Sequence, residues 1–205
     1  MATPERPYHH GNLARALLDA AAEVIGEMGP AQMSLREVAR RSGVSNAAPV
    51  HHFGDKAGLF TALAAEGFER LADTLSAATD GSADGQVDPA EVFLEIGVAY
   101  VRFAVANRAH FEVMFRPELY HRESSDVLAA ASRAAQHLYG PAADVIGDGI
   151  TDDRDAGTIA WSLVHGFATL VLNGNLDTEA SADPEGTVRR LGRLAFSPKG
   201  GAAVP

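Results

Sequence analysis

A chain of 205 residues with 46% hydrophobic content can bury a sizeable core, while its formal charge of −10 at pH 7 argues, taken as a whole, against a polyanionic partner. It has no cysteine, which excludes a disulfide framework, thiolate chemistry and cysteine-based zinc sites. The start MATPERPYHH lacks the apolar core of a secretory signal and no run approaches the roughly 18 apolar residues of a span, so the expectation is a soluble, cytoplasmic protein with no membrane partner.

The charge is unevenly placed. Residues 1–56 hold six basic residues (Arg6, Arg15, Arg36, Arg40, Arg41, Lys56) and six acids (Glu5, Asp19, Glu23, Glu27, Glu37, Asp55), so the whole net negative charge lies beyond Lys56. Four histidines, His9, His10, His51 and His52, also fall in this stretch. The pattern is a neutral-to-basic head on an acidic body, and only the head suits nucleic acid.

The first element is read from GNLARALLDAAAEVIGEMG. Leu13, Leu17, Ala20, Ala21, Val24, Ile25 and Met28 recur at helical spacing, with Asn12 available as a cap and Gly29 as a stop. SLREVARRSG follows, where Ser34 and Glu37 form the S-x-x-E box in which each side chain satisfies a backbone N–H at a helix start. Gly43 turns the chain and Ser45 caps a very short helix in SNAAPVHHFGDK, whose Pro49 then falls in the first turn, where its missing N–H matters least. Asp55 caps a long helix over 55–78 with Phe60, Leu63, Gly67, Phe68, Leu71 and Leu75 on one stripe.

TDGSADGQVDP, residues 79–89, is a break rich in Gly, Asp and Ser. Five further helices follow: EVFLEIGVAYVRFAVAN, HFEVMF ended by Pro117, SSDVLAAASRAAQHLY, DAGTIAWSLVHGFATLVLNG and PEGTVRRLGRLAF. Residues 197–205 read as a disordered tail. No strand or internal repeat is found, so the fold class is all-α.

The second and third helices carry the chemistry. A tight turn at Gly43, with small Ala39 four residues earlier, lets two short helices cross closely, which is helix-turn-helix spacing. The second helix of that motif enters the major groove, its first residues reaching base edges. Asn46 can pair bidentately with adenine, and Ala47 and Ala48 permit close approach to a phosphate or a thymine methyl. Adjacent His51 and His52 do not share a helix face, whereas helical metal sites use i, i+4 spacing, so no metal is expected there. No nucleophile–base or ligand spacing supports a catalytic residue or a cofactor.

Taken together, SLREVARRSGVSNAAPVHHFGDKAGLF resembles the DNA-binding head of the TetR-type transcriptional regulators, with PYHHGNLARALLDAAAEVI similar to the first helix of one subgroup. WSLVHGFATLVLNGNL looks like the Trp-His-Gly motif of that subgroup's C-terminal domain. The resemblance implies an N-terminal three-helix helix-turn-helix DNA-binding domain over 1–56. It also implies a larger helical ligand-binding and dimerisation domain over 57–196, with helix 55–78 connecting the two. By resemblance Asn46 and Ala47 lie toward bases, His51 and His52 toward bases or phosphates, and Lys56 toward a phosphate. Ser34, Arg36, Ser45 and Ala48 complete the expected DNA surface, although Ser34 and Ser45 also read as caps and Arg36 as part of a solvated face with Arg40 and Arg41. Lys56 has a separate argument: a cation in the first turn of a helix opposes the macrodipole unless an anion is shared there. The pattern departs at Val50, which stands where most members have tyrosine.

In the body, family members place a small-molecule pocket among helices of this kind. The expected lining is Phe93, Ile96, Tyr100, Phe103, Phe111, Met114, Phe115, Trp161 and His165, each of which is equally at home in an ordinary core. The last two long helices would pack on their copies in a second subunit through Ile159, Leu163, Phe167, Leu170, Val188, Leu191 and Leu194. The reading is a homodimeric repressor binding a palindromic double-stranded operator and released by a small-molecule effector. Two alternatives stay open: a helical ligand-binding dimer whose head no longer binds DNA, and an all-helical enzyme using His165 or the body's carboxylates.

Overall fold

A computed structural model describes residues 10–79, 88–145 and 153–196. Among these residues every regular element is helical. The Gly/Asp/Ser break at 80–87, His9, the side chain of Asn12 and the tail 197–205 lie outside the described residues. The packing divides the chain in two, one unit holding the residues up to Gly67 with Ala109–Leu128, the other Phe68–Arg108 with the residues from Ala129 on.

The first unit contains α1 (His10–Met28), α2 (Leu35–Arg41), α3 (Ala48–Phe53) and the first half of α4 (Lys56–Thr79). It also takes most of α6 (Arg108–Met114) and the 3-10 turn Pro117–Leu119. Leu17, Ala21 and Val24 of α1, Val38 and Ala39 of α2, and Leu59 and Leu63 of α4 are fully buried, so the helical stripes meet in one core. The boundary drawn at residue 56 follows the motif, whereas the packing boundary falls inside α4, because Leu59, Phe60, Leu63 and Ala64 bury with the head. At Gly67 the helices come close: a Cβ there would stand 2.5 Å from Met114 Sδ and 3.1 Å from His110 Cβ. Buried His110 places its Nε2 3.6 Å from a Glu66 carboxylate oxygen that Arg15 holds at 2.8 Å, which ties α1, α4 and α6 together.

The second unit is built around α5 (Pro89–Ala106), started by Asp88, whose side chain accepts from the Ala90 N–H at 2.9 Å. Around it lie α7 (Ser125–Val145, whose first turn belongs to the other unit), α8 (Asp153–Leu172), α9 (Thr178–Ala182) and α10 (Pro184–Phe196). α5 packs on both α8 and α10, and nine of its residues, Phe93 through Ala104, are buried, which is why it reads as apolar nearly all round. Three Arg–Glu pairs run antiparallel along the α5–α10 seam: Arg193 with Glu91 at 3.1 Å, Arg189 with Glu95 at 2.7 Å and Arg102 with Glu185 at 2.6 Å.

Two elements after α6 differ from the sequence reading. α7 does not stop at Tyr139 but continues through Pro141 to Val145, since Leu138 and Ala142, four apart across the proline, are both buried on one face. The five-residue α9, capped by Asp177 accepting from the Ala180 N–H at 2.8 Å, is too short to show an apolar period. α8 contains a 19-residue stretch, Arg154–Leu172, with mean hydropathy 1.2, which reaches the length and composition both of a membrane span and of a core helix in a water-soluble fold.

Candidate nucleic-acid interface

The head's geometry starts at Ser34, whose backbone is extended and whose hydroxyl accepts from the Glu37 N–H at 3.2 Å. Only this half of the capping box is used. The Glu37 carboxylate turns instead to Arg40 at 2.6 Å and Arg41 at 3.0 Å, and hydrogen bonds from those two guanidiniums, Arg40 first, hold its pKa down at about 2. Arg41 also reaches Glu27 at the end of α1 at 2.7 Å. Arg40 and Arg41 are thereby neutralised within the head, whereas Arg36 is exposed and has no ion-pair or hydrogen-bond partner among the described residues. The structure separates the three arginines that the sequence could treat only as one face.

α2 ends in a Schellman arrangement. Gly43, at φ +67°, donates to Arg40 O at 3.3 Å and Val44 donates to Ala39 O at 3.1 Å, so the turn needs a residue at ease in the left-handed region. Ser42 Oγ pins this corner by donating to Val38 O at 2.9 Å and lying 3.3 Å from Ala16 O of α1.

The short helix begins later than expected. Ser45 is not a side-chain cap: its carbonyl accepts from the Ala48 N–H at 3.0 Å, Ala47 takes the cap position without a side-chain bond, and Ala48 opens α3. Ser45, Asn46 and Ala47 therefore form an exposed turn leading into the helix, and Pro49, buried, is its second residue. A proline there gives up an N–H that has no intrahelical partner anyway. Val50 is 50% exposed and His51 is exposed beside half-buried His52, their rings 5.5 Å apart edge to face. Ser34, Arg36, Ser45, Asn46, Ala47 and His51 are all exposed, while Ala48, His52 and Lys56 are partly so.

The corner from α3 into α4 depends on Asp55 and Gly58. Asp55 Oδ1 accepts from the Gly58 N–H at 2.7 Å, and a Cβ on Gly58 would stand 1.9 Å from the carbonyl oxygen of Phe53. Gly58 is a packing residue of this corner that sequence reading missed; a glycine in the first turn of an otherwise well-formed helix, where alanine is the better former, was the available signal. Lys56 lies at the same corner, its Nζ donating to Ala31 O at 3.4 Å and standing 5.4 Å from the Phe60 ring centroid.

In the second unit a cavity lies among α5, α7, α8 and α10, walled by Phe93, Ile96, Leu138, Val164, Val188 and Phe196 among others. Of the nine residues expected to line a pocket, Phe93 and Ile96 wall this cavity, and Tyr100, Phe103, Trp161 and His165 are not among its walls. Phe111, Met114 and Phe115 belong to the first unit, where Phe111 and Met114 are buried and Phe111 and Phe115 stack edge to face at 5.0 Å. Tyr100, Trp161 and His165 instead form a hydrogen-bonded group. The buried Tyr100 hydroxyl accepts from Trp161 Nε1 at 3.2 Å and lies 2.9 Å from His165 Nδ1. Which of the Tyr100 hydroxyl and His165 Nδ1 donates in this contact is set by the imidazole tautomer. Burial lowers the His165 pKa and raises that of Tyr100, in keeping with both being uncharged.

The residues expected at a dimer face divide as well. Ile159, Leu170, Leu191 and Leu194 are exposed, Leu194 to 77%, and Leu163 is half-buried. Phe167 and Val188 are buried inside their own unit, Val188 as a wall of the cavity together with Phe93 and Ile96 of α5. No cluster of three or more metal-ligating side chains occurs among the described residues.

Residues 17–63 match the model of the bacterial regulatory proteins, tetR family, and residues 93–193 that of the tetracyclin repressor-like C-terminal domain. The chain is 37% identical over 76 residues to the HTH-type transcriptional repressor AcnR of Corynebacterium efficiens and 39% identical over 69 residues to the HTH-type transcriptional regulator BetI of Rhizobium meliloti. These matches span 37% and 34% of this chain and only 39% and 34% of the two relatives, in that order. A solved structure of a protein of unknown function from Rhodococcus sp. RHA1 is 33% identical, with TM-score 0.71, covering 91% of this chain and 98% of that one. Family and relatives are transcriptional regulators that bind DNA, not enzymes. The two matched segments together take in the helix-turn-helix corner and the α5–α10 body just described, and the chain belongs to the tetR family of bacterial regulatory proteins.

Proposed function

We infer that this regulator is a cytoplasmic homodimeric repressor that binds a palindromic operator and is released by a small-molecule effector. The observation that carries the reading is an apolar stripe left exposed on two helices of the body. Ile159 and Leu170 stand exposed along α8, with half-buried Leu163, which also walls the cavity, between them, and Leu191 and Leu194 are exposed on α10. Gly166 stands within the α8 stripe, and a Cβ there would meet nothing of its own chain within 4 Å. Large apolar residues clustered on adjoining helices mark an interface, and a small residue among them lets a second helix approach. A two-fold axis through such a face gives two heads, whose α3 helices suit successive major grooves of a palindrome.

At each half-site Asn46 and Ala47 face base edges from the turn before α3, His51 contacts bases or phosphates, and Arg36 and Lys56 contact phosphates. Exposure of the turn and the lack of an internal partner for Arg36 support this division. Incubating the protein with fragments of its own upstream region, followed by footprinting, tests the reading. A protected palindrome with protein bound two to one is expected. Absence of retention down to low salt would leave a ligand-binding dimer whose head, with Val50 in place of tyrosine, does not hold DNA.

A further inference from the structure

Among the described residues of α1, α2, α3 and their connections, two large apolar side chains are left exposed: Met28 at the end of α1, to 37%, and Val50 within α3, to 50%. Val50 has small neighbours along its side of the helix. Ala47 before it keeps a helical backbone, with φ −81° and ψ −20°, and its carbonyl accepts from the His51 N–H at 2.9 Å, so Ala47 and Val50 are helical neighbours at i, i+3. Gly54, one turn after Val50, donates its N–H to Val50 O at 2.8 Å and ends the helix; a Cβ there would meet nothing within 4 Å. A methyl on one side and no side chain on the other leave the Val50 isopropyl group as the projecting apolar part of this exposed surface.

Against DNA, an isopropyl group is selective by what it lacks. With no donor or acceptor it cannot bond to a phosphate, whereas exposed Arg36 and partly exposed Lys56 of the same unit carry that chemistry. Set against the oxygen, nitrogen or amino group of a base edge, it would strip water from a polar group and return no hydrogen bond. The C5-methyl of thymine is the one apolar feature that the base pairs present in the major groove. Covering it takes carbon surface out of water on both partners.

We propose that Val50 is a specificity-determining residue of this regulator, packing with Ala47 on the C5-methyl of one thymine in each operator half-site. This rests on the reading of α3 as the helix that enters the major groove. The contact is worth about one methyl transferred from water, which corresponds to about fourfold in affinity for one half-site and about fifteenfold for two.

The test removes the methyl from the DNA and the isopropyl group from the protein separately. A genomic fragment retained by the full-length protein is footprinted, and duplexes of the protected palindrome are made with each thymine in turn replaced by uracil in both half-sites. Uracil keeps the base pairing and lacks only the methyl. Wild type is expected to lose about fifteenfold at one symmetry-related pair of thymines. Val50→Ala is expected to bind the unmodified duplex about as weakly as wild type binds that uracil duplex. On the same replacement it loses about threefold or less, with its losses at the other thymines unchanged. Since Val50 is exposed, the variant's unfolding midpoint is expected to match wild type, so weaker binding does not report a lost fold.

An equal uracil penalty in Val50→Ala assigns the methyl to another side chain and overturns the proposal. So does the absence of a penalty at every thymine in wild type, or a Val50→Ala effect that is the same on all duplexes, which marks a contact to sugars. In those three cases the protein still binds its palindrome and the operator reading stands. If no fragment is retained down to low salt, the operator reading itself fails and the role of Val50 falls with it.

Discussion

Lys56 and Gly58 stand two residues apart at the α3–α4 corner and do different work. The Lys56 ammonium already has a carbonyl and a ring face, at 3.4 Å and 5.4 Å, which hold it beside the N-terminus of α4. A phosphate placed there is shared between the cation and the helix end. Lys56→Ala is expected to weaken binding to all operator sequences alike and to lower the salt dependence by about one unit in a titration at several ionic strengths. A changed base preference with an unchanged slope would refute the phosphate role. Gly58 serves packing: with backbone 1.9 Å from the added carbon, Gly58→Ala is expected to cost about 2 kcal/mol or more of head stability in urea unfolding. A midpoint equal to wild type would show that the corner relaxes freely.

His165 gives a prediction for pH. Burial lowers its pKa in the folded chain below the ordinary 6.5, so the unfolded chain binds the proton more readily. Its contribution to stability is complete above about 6.5 and is lost as pH falls from there toward the lowered folded value. Urea midpoints are expected to fall between pH 7.5 and 5.5, with His165→Gln flattening part of that slope. An unchanged slope in the variant would mean that His165 is not the group responsible. Trp161 and His165, four apart, were legible in the sequence as sharing a helix face. That they meet Tyr100 across 61 and 65 residues of chain was not, because no local period records which helix a face is turned toward.

Among the elements, α3 shows how little local signal a six-residue helix carries. Ser45 has the composition of a cap, yet the helix starts at Ala48, since the preceding turn is closed by the Ser45 carbonyl and by burial of Pro49. The shift strengthens the reading of Asn46 and Ala47 as a presenting turn, as it leaves both outside the helix and exposed. The α5–α10 seam is the contrasting case, in which a 13-residue helix is aligned by ion pairs at 91·193, 95·189 and 102·185. Because Arg189 and Glu95 are each about one-third or more exposed, a double-mutant cycle between them is expected to give a coupling of under about 1 kcal/mol that disappears at high salt. A coupling of several kcal/mol that salt does not reduce would show that the pair is held rigid and shielded from solvent.

At the scale of the whole molecule, the proposed dimer would link assembly to DNA binding. Leu191 and Leu194 are exposed in the single chain, so Leu191→Glu with Leu194→Glu is expected to leave helicity and the unfolding midpoint nearly unchanged. The double variant is expected to sediment as a monomer and to lose about tenfold or more in operator affinity, since two heads on one palindrome bind with the advantage of an intramolecular second step. A variant that remains dimeric would move the interface off α10. Phe167 and Val188 are unsuitable for the same test, as both are buried within their own unit and their loss would report on the core.

The sequence alone determined the helix content, the turn at Gly43, the start of α2 at Ser34 and the family, because these rest on local periods, on caps and on a motif whose spacing is fixed by how two short helices cross. It also determined the uneven charge that makes only the head suitable for DNA. Tertiary structure decided the rest: which arginines of α2 are paired, that α7 passes through Pro141, that Gly58 must be glycine, and which apolar residues remain exposed. Phe93 and Phe103 are the same residue type, both buried on the same helix, yet Phe93 walls a cavity and Phe103 is not among its walls. An apolar period shows that a face is buried, but not what it is buried against; that follows from helices distant in sequence closing on one another.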